Sequence, residues 1–263
     1  MAKVICVTNQ KGGVGKTTTA VNVAFFLAKE KNRVLLVDLD PQGNATSGLG
    51  FDKEELVEGK YGTSGASMTE VMLEEVEMAD IILETKYKGL ELAPTTTELS
   101  NTEVEITGRD KKFGILTRAL RGVVKNYDYI IIDSPPSLSI LTVNAMIAAE
   151  YLLLPVQTEF YALEGVAQLL KSMQLVRKAT NPSLKLLGVV ATMYDKRTSL
   201  SAQVLTEVEK YFKDKVFKTT IPRNVRVAEA PSHGVPVGVY DRFSKGAKAY
   251  KQLTKEIMER VNE

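Results

Sequence analysis

The sequence predicts an α/β fold, a mostly parallel, twisted sheet with helices on both faces. Three observations carry that expectation. Short apolar runs recur along the chain, among them Val4-Ile5-Cys6-Val7, Val34-Leu35-Leu36-Val37 and Tyr129-Ile130-Ile131-Ile132. Their unbroken apolar character is that of parallel strands covered on both faces. Longer Ala- and Leu-containing stretches with helical periodicity separate them, the alternation that builds βαβ units. Two of the runs also end in an aspartate, Asp38 and Asp133, and in open α/β sheets the carboxyl ends of the strands carry the functional groups.

Taken in order, the first strand is followed by a helix over residues 20–29 and a second strand over 33–38. Residues 48–67 hold Gly50, Gly59, Gly62 and Gly65 among several charges, without a period, and read as an irregular surface insertion. A helix is expected over 68–84, a short strand over 90–94, and helical stretches over 97–106 and 113–126. The third strong strand is Tyr129-Ile130-Ile131-Ile132-Asp133. Beyond it come a helix over 139–149, a strand over 151–156, an amphipathic helix over 163–178, a strand over 186–193 and a helix over 199–212. A basic loop, Ile221-Pro222-Arg223-Asn224-Val225-Arg226, precedes a last helix over 244–261. In that helix Tyr250, Leu253 and Ile257 share a face, and Lys245, Lys248 and Lys251 point outward. No repeat or linker interrupts the pattern, so one domain is expected over 1–263.

Between the first strand and its helix lies Asn9-Gln10-Lys11-Gly12-Gly13-Val14-Gly15-Lys16-Thr17-Thr18-Thr19. Strand, glycine loop and helix form the context of a phosphate-binding loop. Glycines let successive backbone N–H groups turn inward around an anion, and the helix N-terminus faces the same anion. Lys11, Gly12, Gly13, Val14, Gly15, Lys16, Thr17 and Thr18 are therefore the candidate cradle. Lys16 would reach the β- and γ-phosphates, and the Thr17 hydroxyl would ligate Mg²⁺. The usual pattern puts glycine where Gln10 stands, and Lys11 adds a second lysine at the entrance, so the loop is a variant. A plain glycine turn with solvated lysines is one rival. A dinucleotide fingerprint starting at Gly13 is another, but its third glycine position holds Thr18.

The second strand delivers Asp38 and Asp40 beside this loop, where an aspartate could orient an attacking water or act on Mg²⁺ through its water shell. A turn aspartate before Pro41 is the plainer reading of Asp38. Asp133, at the end of a buried strand and followed by Ser134-Pro135-Pro136, reads as the acid that completes a nucleotide–Mg²⁺ site.

Composition bounds the rest. Apolar residues make up 44% and charged residues 25%, ordinary values for a globular protein. No apolar run is long enough to span a bilayer, and no secretory leader is expected before the first strand. The single cysteine, Cys6, excludes an intrachain disulfide and reads as a small core residue. Net charge is +2, yet residues 1–180 hold 19 Lys and Arg against 23 Asp and Glu, while residues 181–263 hold 15 against 9. The basic excess of the last third suits an anionic partner there. His233, beside Pro231 and Gly234, reads as a loop residue rather than a ligand.

These residues resemble the ParA/Soj family of DNA-partitioning ATPases, within the MinD-type deviant Walker A group of P-loop NTPases. The resemblance covers nearly the whole chain. It rests on residues 9–19, Asp38-Leu39-Asp40-Pro41-Gln42-Gly43-Asn44, Ile131-Ile132-Asp133-Ser134-Pro135-Pro136, Tyr161-Ala162-Leu163-Glu164-Gly165 and Ile221-Pro222-Arg223-Asn224-Val225-Arg226. Departures are small: family members often carry another residue at Ser134, and the 48–67 stretch is longer than usual. The resemblance implies ATP and Mg²⁺ as cofactors and a sandwich homodimer in the ATP state. Lys11 would reach across to the partner's phosphates, Lys16 and Asp40 would serve hydrolysis, and Thr17 and Asp133 would hold the metal. Pro222 and Arg223, in the 222–224 loop, are candidates for adenine contacts. The resemblance further implies slow turnover stimulated by a ParB-type centromere-binding protein. It also implies non-specific binding of double-stranded DNA through Arg197, Arg226 and Lys245, in a cytoplasmic, nucleoid-associated protein. A MinD-type membrane-associated positioning ATPase is the nearest alternative. The terminal residues Met258-Glu259-Arg260-Val261-Asn262-Glu263 are too acidic and too poor in bulky apolar groups for a stable anchor. A nitrogenase-reductase-like carrier shares the loop but needs cluster cysteines that a lone Cys6 does not supply.

Overall fold

The computed structural model describes residues 2–160, 162 and 165–263. Tyr161, Leu163 and Glu164 of the fourth resemblance block, and with them the first residues of the helix expected over 163–178, lie outside the described residues.

Seven strands form one sheet: β1 (Lys3–Val7), β2 (Val34–Asp38), β3 (Leu83–Glu84), β4 (Leu90–Ala93), β5 (Tyr129–Asp133), β6 (Tyr151–Gln157) and β7 (Lys185–Thr192). Their spatial order is β3-β4-β2-β5-β1-β6-β7. Every pairing is parallel except that of β3 with β4. The chain leaves β1 towards β2 on one side and later leaves β5 towards β6 on the other, so the crevice at the carboxyl end of β1 is the topological switch point.

Alternation along each strand divides the core between the two faces. Val4, Cys6, Leu35, Val37, Ile130 and Ile132 face one layer of helices, which includes Met68–Leu73, Leu99–Thr107, Ile115–Leu120, Ile140–Ala148, Val166–Ala179 and Ser199–Phe212. Ile5, Val7, Val34, Leu36, Leu90 and Ile131 face the other, formed chiefly by the Lys16–Lys29 and Lys245–Arg260 helices. Tyr250, Leu253 and Ile257 are all buried in that second layer, and the Tyr250 hydroxyl lies 3.3 Å from the Thr19 hydroxyl. Cys6 is fully buried, and burial pushes its thiol pKa up to about 12.

Two expectations are corrected. Residues 48–67 are not irregular throughout. Helix Lys53–Val57 stands on an Asp52 cap whose carboxylate accepts from Glu54 and Glu55 N–H, and Leu56 buries itself completely. Phe51 and Tyr61 pack edge to face, 5.2 Å apart. The glycines masked this short capped helix. The single helix expected over 68–84 is three pieces: Met68–Leu73, Met78–Ile81 and the edge strand β3. Glu74 takes a left-handed φ of 63° and ends the first piece. Glu70 and Glu74 would repel each other at i,i+4 in a continued helix, and Glu70 is instead spent in a capping box with Ser67.

Candidate functional site at the switch point

Three strand ends meet at the crevice. Val7 of β1 lies level with Asp133 of β5 on one side and Leu153 of β6 on the other. Asp38 of β2 lies level with Asp133 on the neighbouring strand. The loop that leaves β1 is tied down at both ends. Asn9 Nδ2 donates to the Pro155 carbonyl at 2.7 Å while its Oδ1 accepts from Lys11 N–H at 3.0 Å. Thr192, at the end of β7, donates its hydroxyl to the Val14 carbonyl at 2.8 Å. Such ties fix a loop whose own residues are small and conformationally free.

Gly13 and Gly15 have φ of 73° and 87°, values that L side chains rarely adopt. A Cβ built on Gly12, Gly13 or Gly15 would meet no atom within 4 Å. The space above these glycines is thus an open cradle, not a packed turn. Helix Lys16–Lys29 starts directly after Gly15, with no side-chain cap. Its first N–H groups and positive dipole end face the cradle with no intrahelical partner. Lys16 is buried, and its ammonium donates to the Lys11 carbonyl at 3.1 Å. Burial lowers its pKa, against the pull of Asp133 and Asp40. Lys11 is half-exposed at the mouth, and its ammonium has no ionic partner among the described residues.

The carboxylates are unusual in their burial. Asp133 is fully buried, and neither of its oxygens has a hydrogen-bond partner among the described residues. Burial, then the neighbouring Asp38 charge, raises its pKa well above the ordinary value, while Thr17 and Lys16 oppose the shift. An orphaned buried carboxylate is costly unless a cation or donor joins it. Asp38 is also fully buried but accepts from Thr46 N–H at 2.8 Å, from Thr46 Oγ1–H at 2.7 Å and, at 3.4 Å, from Asp40 N–H. Its pKa is pushed up to about 6 by burial, with the Thr46 bonds acting against that rise. Asp40, 6% exposed, accepts from Gln42 N–H through its carboxylate and from Gly43 N–H through its carbonyl. Among the described residues no three His, Cys, Asp or Glu converge as a metal cage. Mg²⁺ needs none, since it is held by one or two carboxylates and by phosphates. The donor set Asp133 plus Thr17 beside an open anion cradle fits a nucleotide–Mg²⁺ pair.

The remaining predicted residues lie along one edge of the same end of the sheet. Tyr194, after β7, donates its N–H to the Ile221 carbonyl at 2.9 Å and accepts from Arg223 N–H at 3.0 Å, which fastens the Pro222–Arg223 turn to β7. Arg197, exposed in the adjoining turn, is held bidentately by Asp195 at 2.9 and 2.7 Å. Arg226 is exposed, pairs with Glu229 at 3.0 Å and lies over the Tyr240 ring. Lys245 opens the last helix, whose Gly246 sits so close to Val227 that an added Cβ would collide with it. The structure therefore brings Arg226 and Lys245 onto adjacent segments, and Tyr194, three residues before Arg197, is bonded to the turn that precedes Arg226. A cavity of about 390 Å³ adjoins Thr17 and Thr18, walled by Asn44, Ser47, Pro231 and Ser232. The anchors Pro155 and Thr192 escaped sequence reasoning because nothing local marks a residue whose partner is more than a hundred positions away; Thr46 escaped it because its link to Thr95 spans two strands.

The profile of the AAA domain family matches residues 2–186. Over 98% of both chains, the protein is 50% identical to the sporulation initiation inhibitor protein Soj of Bacillus subtilis. The chain belongs to the ParA/Soj family of chromosome-partitioning ATPases. The chromosome partitioning protein ParA of Myxococcus xanthus is 45% identical to it, with 99% of this chain and 89% of that protein covered. Among solved structures, cobyrinic acid a,c-diamide synthase of Mycobacterium smegmatis with bound ADP and magnesium has a TM-score of 0.86 at 37% identity, covering 100% of this chain and 96% of that one. The cell division ATPase MinD of Pyrococcus furiosus has a TM-score of 0.76 at 25% identity, covering 98% and 99%. The ParA/Soj assignment agrees with the parallel sheet and with the glycine cradle at its switch point.

Proposed function

We propose that this chain is an ATP-dependent DNA-partitioning ATPase that works as a nucleotide-gated dimer. The observation that carries the reading is Asp133, a buried carboxylate without a partner, at the lip of an open glycine cradle beside Lys16 and Thr17. Gly12, Gly13, Val14, Gly15, Lys16, Thr17 and Thr18 hold the phosphates through backbone N–H groups and the Lys16 ammonium. Thr17 and Asp133 hold Mg²⁺, and Pro222 and Arg223 flank the base. Bound Mg-ATP supplies the phosphoanhydride that is cleaved and the cation that shields its charge. Asp40 orients the attacking water, and its backbone is set by Asp38 and Gly43. Lys11, unpaired at the mouth, neutralises the triphosphate of a facing subunit, so dimerisation depends on the γ-phosphate.

Turnover is slow alone, since no arginine of the loop is aimed at the cradle, and a ParB-type partner accelerates it. The ATP dimer doubles the edge that carries Arg197, Arg226 and Lys245 and binds duplex DNA through phosphates, without reading bases. A MinD-like membrane role is disfavoured because the apolar stripe of the last helix is spent in the core: Tyr250, Leu253 and Ile257 are at most 1% exposed. No described helix is long and apolar enough to cross a membrane. The testing experiment measures ATP turnover with and without duplex DNA and a ParB-type protein, alongside Lys16→Ala. Slow turnover that rises with both additions and vanishes with Lys16→Ala is expected. Turnover or tight ATP binding that survives Lys16→Ala would overturn the cradle assignment.

A further inference from the structure

We infer that Thr46 is a positioning residue for hydrolysis, acting through Asp38 on the backbone of Asp40; this rests on the ATPase reading above. Thr46 is fully buried in the short helix Asn44–Gly48, so it does not touch solvent. Its hydroxyl is used in both senses. It donates to Asp38 Oδ2 at 2.7 Å and accepts from Thr95 N–H, just beyond β4, at 3.1 Å. Its own N–H reaches the same Asp38 oxygen at 2.8 Å. The other oxygen, Asp38 Oδ1, faces Asp40 N–H at 3.4 Å. One side chain thus links the ends of β4 and β2 and fixes the carboxylate that in turn receives the amide of the water-orienting residue.

Without the hydroxyl, Asp38 keeps only one of its two strong donors beside a second buried carboxylate, and the Thr95 N–H loses its acceptor. Asp38 then turns, and the Asp40 amide turns with it. Small misplacements of this kind penalise the reacting geometry more than ground-state binding. A threonine that merely fills space would act otherwise: an isosteric valine would serve as well, and no link to Asp38 would be felt.

The experiment compares Thr46→Val, Thr46→Ser, Asp38→Asn and the double variant Thr46→Val/Asp38→Asn, reading kcat, binding of a non-hydrolysable ATP analogue and thermal melting. We expect Thr46→Val to lower kcat about tenfold or more with analogue affinity within roughly threefold, and serine to restore it. Thr46→Val should change kcat by less than about twofold once Asp38 is asparagine, because the two act as a unit. Unchanged kcat in Thr46→Val, failure of serine to restore it, or full additivity in the double variant would each overturn the inference. Should Thr46→Val not fold, Thr46→Ala carries the same cycle. A chain without Lys16-dependent turnover overturns the ATPase reading itself. Normal Lys16-dependent turnover that is indifferent to Thr46 overturns only this one.

Discussion

Asp38 and Asp133 stand side by side at neighbouring strand ends, both fully buried, yet only Asp38 has donors. That difference separates a carboxylate held in place by the protein from one that the proposed function assigns to a cation. It also has a pH signature in the nucleotide-free protein. The folded-state pKa of Asp38 is raised to about 6 from an ordinary 3.8, so the folded chain binds this proton more tightly than the unfolded one. The associated stability is fully present below the unfolded pKa and is lost as pH rises through about 6. That rise in pKa corresponds to about 3 kcal/mol at most. The partly exposed Asp128 and Asp195, lowered by Arg33 and Arg197, contribute stability that is lost only as pH falls below the ordinary carboxylate range, outside this window. Asp133, raised as well, acts in the same direction, so the melting temperature should climb from pH 7.5 to 5.5 in the wild type and less steeply in Asp38→Asn. Identical slopes in differential scanning fluorimetry would remove Asp38 as the source.

At the scale of elements, the last helix is structural. Leu253 is fully buried against the second face of the sheet, so Leu253→Ala should cost about 2–5 kcal/mol in urea unfolding. A helix reserved for membranes would lose almost nothing. The strong strands and the long helices were legible because burial on both faces leaves an uninterrupted apolar run, and because the Ser199–Phe212 and Lys245–Arg260 helices carry capping residues, Thr198 and Ser244, at their starts. The cradle was legible for a similar reason, since its chemistry is local: glycines with positive φ followed by Lys16 and Thr17 on an uncapped helix start. What stayed hidden was short or long-range. Lys53–Val57 is a five-residue helix among glycines, and the acid-rich 68–84 stretch breaks where Glu74 turns left-handed. The Thr46–Thr95 and Thr192–Val14 bonds join segments through sheet topology, which no window of sequence contains.

Across the whole molecule, the last third carries the excess of basic residues, and within it Arg226 and Lys245 stand on adjoining segments. Arg226 and Arg197 are already held by Glu229 and Asp195, so in the proposed function DNA phosphates would have to compete with those acids. Single subunits should bind DNA weakly, and the paired edges of a dimer should bind it with steep salt dependence. Arg226→Glu should weaken DNA binding about tenfold or more and flatten the salt slope by roughly two, one phosphate contact per subunit, with dimerisation intact. Unchanged binding in a filter or anisotropy assay would move the DNA surface elsewhere. In the proposed function a triphosphate in the Gly12–Thr18 cradle joins two subunits. Asp40→Ala should bind Mg-ATP without hydrolysing it, and small-angle scattering of that variant saturated with Mg-ATP tests the claim most directly. The predicted result is twice the subunit mass, falling to one subunit when ADP replaces ATP, and single subunits in both states would contradict it.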